Sequence, residues 1–343
     1  MENADFGCPW VGFGRQSHGI RSFDLPLVAR DAPTIRFCAS RCAPHEAGTA
    51  AIGAFASSTL LLLAGLPAPV RAQPVSFEQH LTECAGKQGW SDPAPPIRIF
   101  GNVYDVGTCG IVVLLIVGPK GHVLIDGATA EAAAGIARNI ERLGFRLADI
   151  KLLLSSHEHL DHAGGLAELQ RRSGASLMVL PEARYAIESG LLAPDDPQFG
   201  LYPPFPPARV DALLRDNQTV SVGPLRLTAH STFGHVRGST SWTWRSCENR
   251  ACRAMVYADS TTAAAAPGYR FSEHPDHVAH FRASLRKIAR LRCDILITPH
   301  PAVSNLYARL AGEAPLVNKH ACADYAAAAA ANLDARLASE AQP

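Results

Sequence analysis

The sequence predicts an α/β (α+β) fold of the αββα type: two mixed β-sheets face to face, helices on the outer faces, functional groups gathered at one edge. Three observations carry this expectation. Short apolar runs alternate with amphipathic helical runs through two similar halves of the chain. Both halves hold a strand that ends in metal-binding residue types, at His157–His162 and at His300. The chain has 343 residues, 47% of them hydrophobic, enough for a sizeable core. A formal net charge of +1 excludes the electrostatic footprint of a nucleic-acid or anionic-membrane binder.

Residues 1–72 read apart from the rest. Residues 1–45 have no clean periodicity and hold Cys8, Cys38 and Cys42. Ala50 to Leu66 is apolar and runs into Pro67-Ala68-Pro69-Val70-Arg71-Ala72. An apolar core followed by small residues at Val70 and Ala72 reads as a secretory signal cut near Ala72/Gln73, and it is short for a membrane span. Because so much chain precedes that core, translation is expected to begin further in, at a codon such as that of Val28. Residues 73–343 then form the mature domain, exported to the periplasm. Its six cysteines suit an oxidising compartment, where they allow 15 pairings. Cys247 and Cys252 flank a short turn and suit a hairpin staple; Cys84 with Cys109 and Cys293 with Cys322 are then the pairs nearest in sequence.

In the mature domain, Ile97–Asp105, Gly110–Val117 and His122–Ile125 read as strands, the middle one almost wholly apolar and so central. Ala128–Leu143 is an amphipathic helix closed by Gly144. Ile150–Leu154 is a buried strand, and a helix begins near Ala163. Ser176–Leu180 reads as a strand and Pro181–Gly190 as a helix. Leu191–Pro207, rich in proline and aromatics, suits either a flap over a groove or a surface loop. Strands follow at Ser221–Ala229, Ser241–Trp244, Arg253–Ala258 and Asp294–Ile297. His274–Leu291 and Ala321–Ser339 are helices, and His274, His277 and His280 read as solvated or packing side chains.

The chemistry centres on His157-Glu158-His159-Leu160-Asp161-His162. In extended backbone His157 and His159 point the same way, while Asp161 and His162 come where the chain turns into a helix. Imidazole and carboxylate are the ligands of catalytic zinc, typically three per ion with one position left for water. The stretch supplies four. His235, on a loop between Gly234 and Gly238, suits the pocket of His157 and His159. His300, between Pro299 and Pro301 at a strand end, suits the pocket of Asp161 and His162. Two Zn2+ ions are therefore expected. Glu158 alternates away from them.

His157-x-His159-x-Asp161-His162 resembles the HxHxDH signature of the metallo-β-lactamase fold superfamily, and the likeness extends over roughly residues 80–340. The context of His235, and Ala258-Asp259-Ser260 in place of a cysteine ligand, resemble its subclass B3. The resemblance implies hydrolysis of the β-lactam ring of penicillins, cephalosporins and carbapenems by hydroxide formed on zinc, and hence antibiotic resistance. It implies that Asp161 ligates and orients the nucleophile and that Ser260 holds the substrate carboxylate. Tyr269 would bind substrate and stabilise the oxyanion, and Asp126 would support the metal loop from behind. The alternative on the same fold is a lactonase or glyoxalase II-like thioesterase, whose sign would be an Asp259 bridging both metals. A non-catalytic zinc-binding protein would show a missing ligand, and none is missing. The expected partner is a small molecule, with the chain monomeric and neither nucleic acid nor stable membrane association involved.

Overall fold

Period-2 burial on both faces is what sandwiches a strand between two layers, and the central strands show it. In the computed structural model, which describes residues 76–342, Leu114, Ile116, Val123 and Ile125 point into one core and Leu115 and Leu124 into another. The described residues fall in the unit Pro67–Pro343. The expected signal segment and Cys8, Cys38 and Cys42 lie outside them.

The chain enters through α1 (Phe77–Cys84), capped by the Ser76 hydroxyl, which accepts from the amide of Gln79 at 3.1 Å. Then come β1 (Ile97–Phe100), β2 (Val103–Asp105), β3 (Leu114–Ile116), β4 (His122–Ile125), α2 (Ala133–Arg142), β5 (Ile150–Leu154), α3 (Leu160–Ala163), α4 (Leu166–Ser173), β6 (Ser176–Val179), α5 (Arg184–Ser189) and β7 (Ala212–Leu213). These strands form one sheet in chain order, antiparallel from β1 to β4 and parallel from β4 to β7. The second half supplies β8 (Thr219–Val222), β9 (Leu225–Ser231), β10 (Thr240–Glu248), β11 (Ala251–Tyr257), α6 (Pro275–Ala289), β12 (Ile295–Ile297), α7 (Leu306–Leu310) and α8 (Ala321–Glu340). Its sheet runs β12-β11-β10-β9-β8, with only β11 and β12 parallel.

Both sheets are mixed, and three apolar layers follow. Leu114, Ile125, Leu154, Trp242, Met255, Tyr257 and Ile295 pack between the sheets. Ile136, Ile140, Leu166 and Leu169 of α2 and α4 cover the first sheet. Phe281, Leu285, Tyr325 and Leu333 of α6 and α8 cover the second. The αββα architecture is thus the observed one.

Boundaries differ where backbone geometry overrides pattern. The expected strand Ile97–Asp105 is a hairpin, because Gly101 takes φ 56° and a Cβ there would lie 2.4 Å from Ser246 Oγ. Ser221–Ala229 likewise divides at Gly223, φ 56°. Ala128 has φ 53°, so the helix expected from Ala128 begins only at Ala133. Disulfides join Cys84 to Cys109, Cys247 to Cys252 across the β10–β11 hairpin, and Cys293 to Cys322, tying the start of β12 to α8.

Candidate metal centre

The C-terminal ends of β4, β5, β11 and β12 open at one edge of the sandwich, the edge where open sheets of this kind carry ligands. Asp126 follows β4, the run Ser155–His162 follows β5, Asp259 follows β11 and His300 follows β12. His235 comes from the loop between β9 and β10.

Close packing holds the β5 loop in place. Gly165 lies against the backbone of Gly127, where a Cβ would come within 2.1 Å of Gly127 O. Asp126, at φ 69°, aims its carboxylate under the loop. Its Oδ1 accepts from the Ser156 amide (2.6 Å) and its Oδ2 from Ser156 Oγ (2.7 Å) and Tyr257 OH (2.7 Å). His162 Nδ1 lies 3.6 Å from the same Oδ2.

Three imidazoles converge from two loops. Donor atoms of His157, His159 and His235 lie within 4.8 Å of one another, as do those of His157, Asp161 and His162. His300 Nε2 is 3.4 Å and His162 Nε2 3.1 Å from Asp161 Oδ2. The structure therefore brings all six sequence-expected residues together. His300 is the open side: its side chain is 32% exposed, whereas His157 is buried.

The outer nitrogens of His157, His235 and His159 are engaged. His157 Nδ1 donates to Asp259 Oδ1 (2.8 Å), His235 Nδ1 to the carbonyl of Thr262 (2.9 Å), and His159 Nε2 to Asp196 Oδ2 (3.1 Å). That leaves His157 Nε2, His159 Nδ1 and His235 Nε2 facing inward. Such outer partners fix tautomer and ring orientation in metal sites.

Two observations test whether a cation suits this donor set. His157 Nε2 is buried with no hydrogen-bond partner, an arrangement that costs about 1–3 kcal/mol unless something binds there. His159 Nδ1 and His235 Nε2 share one donor, the amide nitrogen of Gln198, at 3.5 and 3.3 Å. Lone pairs from His157, His159 and His235 thus point at a common positive partner or at none, and the residues fit a metal.

Burial tunes them for it. Burial, then neighbouring imidazoles, hold His157 well below its ordinary range. The same causes lower His235 to about 3 and His300 to about 4, so these rings are neutral donors at pH 7. Burial alone would raise Asp161, but His162 and His300 beside it hold the carboxyl well below the carboxylate range.

With this geometry in hand, known proteins can be set beside it. Residues 106–247 match the family model of the metallo-beta-lactamase superfamily. The metallo-β-lactamase MIM-1 from Novosphingobium pentaromativorans is 50% identical over 77% of this chain and 98% of its own, with TM-score 0.75. The chain belongs to the metallo-β-lactamase superfamily. Within it the chain falls with subclass B3: MEM-A1, a B3 enzyme from a soil metagenome library, is 44% identical over 74% of this chain and 99% of its own, TM-score 0.71. A hydroxyacylglutathione hydrolase of Methylobacterium nodulans is 30% identical over 122 residues, 34% of this chain and only 39% of that relative's length.

One expectation about this metallo-β-lactamase site needs restating. Tyr269, expected at the oxyanion, donates its hydroxyl to His277 Nδ1 at 3.0 Å and stacks on His274. His277 in turn donates to the Gly234 carbonyl (2.6 Å), so both residues brace the loop of His235. Asp259 stands behind His157, not between the donor groups, where a bridging aspartate would mark the thioesterase or lactonase alternative. Glu158 does point away from the cluster, but it is buried, and its Oε1 accepts from the Gly238 amide at 3.0 Å. Burial pushes its carboxyl up to about 7. Ser260 lies in the irregular stretch after Asp259 and is buried.

Sequence reasoning missed Asp196 and Gln198. Both are buried, and both come from the Leu191–Pro207 stretch, which carries no core periodicity. Beside them a groove of about 340 Å³ runs along Leu160, Tyr185, Leu191, Phe199, Tyr202 and Phe205.

Proposed function

We propose that this chain hydrolyses the β-lactam ring of penicillins, cephalosporins and carbapenems with two zinc ions, and so confers antibiotic resistance. The observation that carries the reading is the convergence of His157, His159, Asp161, His162, His235 and His300 from both halves of the fold. His157, His159 and His235 would hold one ion, and Asp161, His162 and His300 the other. Bound zinc lowers the pKa of water towards about 7 and polarises a carbonyl.

The protein's part is positional. The neutral imidazoles of His157, His235 and His300 keep their lone pairs for the metals. Asp161, ionised across the working pH range, accepts a hydrogen bond from the attacking water and so aims its oxygen. The water oxygen bonds to the ring carbonyl carbon as the amide C–N bond breaks, and the nitrogen leaves with the proton that the water gives up. Ser260 would bond the substrate carboxylate. With the Tyr269 hydroxyl bonded to His277 Nδ1, stabilising the oxyanion would fall to ions held by the six ligands. Substrate approaches past the exposed edge of His300, beside Trp90 and Tyr202, whose rings lie 5.5 Å apart. Export to the periplasm as a monomeric domain from about residue 73, with three disulfides, agrees with the cysteine usage. Among the described residues no helix is long and apolar enough to cross a membrane.

The test is turnover of nitrocefin and imipenem by purified protein, with and without a chelator. Hydrolysis that stops on chelation and returns with zinc is the expected result. Turnover of a glutathione thioester or a lactone in place of both β-lactams would replace this reading with the thioesterase or lactonase alternative. The place of Asp259 behind His157 argues against that alternative.

A further inference from the structure

Each metal-facing ring needs an outer partner, and the partners differ in where they come from. That of His157 follows a strand end, at Asp259, and Thr262, the partner of His235, follows soon after β11. The partner of His159 does not. It is Asp196, in the middle of an irregular stretch remote in sequence from the metal loop. Asp196 is nevertheless as enclosed as a core residue: its side chain is 2% exposed and that of His159 is 3%. Burying a carboxylate is expensive unless its oxygens are bonded, and both are. Oδ2 accepts from His159 Nε2 at 3.1 Å, and Oδ1 accepts from the Gln198 amide at 2.7 Å, closing a local turn.

The segment is anchored on both sides of this contact. Ala266 N donates to the Pro197 carbonyl at 2.7 Å, and Arg237 pairs with Asp195 at 2.6 Å. Arg237 lies two residues beyond His235, so the same stretch grips both loops that carry inward-facing imidazoles. Two residues after Asp196, Gln198 meets the opposite, inward faces of His159 and His235. One short stretch thus holds a ring by its back with Asp196 and covers its lone pair with Gln198.

We propose that Asp196 is a positioning residue of the metal centre. Its carboxylate fixes His159 in the tautomer and orientation that present Nδ1 beside His157 Nε2 and His235 Nε2. Gln198 acts in the opposite sense, donating to the two lone pairs that a cation must take over. This inference rests on the assignment of His157, His159 and His235 to one metal ion.

The two residues predict opposite signs, and that separates a specific role from general support of the loop. Zinc affinity is measured by competition with a chromophoric chelator, and the ligand field is followed in the visible spectrum of the cobalt-substituted protein. Asp196→Ala should weaken binding at one site by about 10–100-fold, the range for loss of such outer partners, and alter the cobalt spectrum. Asp196→Asn keeps an acceptor towards His159 Nε2 and should recover most of that loss. Gln198→Ala should bind zinc as tightly as the wild type or more tightly. Unchanged affinity in Asp196→Ala overturns the proposal. So does an equal loss in Gln198→Ala, which would make the stretch a mere scaffold, and so does the absence of rescue by Asp196→Asn. A wild-type chain that takes up no zinc overturns the metal assignment and this inference with it, an outcome visible before any variant is compared.

Discussion

Asp126 concentrates the demands of this fold on one side chain. It accepts three short hydrogen bonds, from Ser156 N, Ser156 Oγ and Tyr257 OH, while its backbone sits at positive φ. Asp126→Asn would turn an amide donor on at least one of those donors, leaving a buried group unpaired. We expect a loss of about 1–3 kcal/mol in urea unfolding, together with weaker zinc retention on dialysis. Gly238 is a second such point. A Cβ there would approach Glu158 Oε2 to 2.2 Å and the Cβ of Ala183 to 2.5 Å. Gly238→Ala should destabilise by about 1–3 kcal/mol, and a variant as stable as the parent would show that the Glu158 contact yields easily. The six donor residues were legible in the sequence because their chemistry is unusual there: three imidazoles and two carboxylates after an apolar strand have no packing reason to exist. Asp196, Gln198 and His277 were not legible. Each is an ordinary polar residue whose meaning comes only from the ring it touches across the fold. Tyr269 shows the converse, since resemblance placed it at the oxyanion and its hydroxyl instead meets His277.

Among the elements, α8 shows how a packing helix acquires polar stakes at its end. Glu340 accepts from the amides of Phe271 (3.1 Å) and Ser272 (2.8 Å) and pairs with Arg336. Burial would raise its carboxyl, but Arg336 and the Ser272 and Phe271 donors lower it to about 2, against an ordinary value near 4.5. The folded state therefore binds this proton less readily than the unfolded one. The stability it contributes is complete above about pH 4.5 and is lost as pH falls from there towards about 2. Thermal unfolding of Glu340→Gln should sit below the parent at pH 7 and converge with it near pH 2; a constant gap would contradict the assignment. The same helix is stapled to the start of β12 by Cys293–Cys322, which closes a separation of 29 residues. Replacing both by alanine should remove about 2–4 kcal/mol, measured by denaturant unfolding. Strands and long helices were readable because their apolar periods are strong. The breaks were not: Ile97–Asp105 and Ser221–Ala229 each look continuous until Gly101 and Gly223 take left-handed backbone, and Ala128 does so with no glycine to announce it.

At the scale of the molecule, metal is expected to be a stability term as well as a reagent. A ligand present at about a thousand times its dissociation constant adds about 4 kcal/mol. Chelation should therefore lower Tm by on the order of 10 °C, read by scanning calorimetry, and a Tm indifferent to chelator would contradict a tightly held ion. The division of the donors sharpens this. His157, His159, Asp161 and His162 belong to the half of the chain that builds the first sheet, and His235 and His300 to the half that builds the second. The halves are joined by a single exposed link at Arg215-Asp216-Asn217. Nicked at that link, the protein becomes two peptides that each own an incomplete set of ligands. Whatever cation spans the seam would then be a rivet between separate pieces, and adding or stripping it should switch their reassembly on and off.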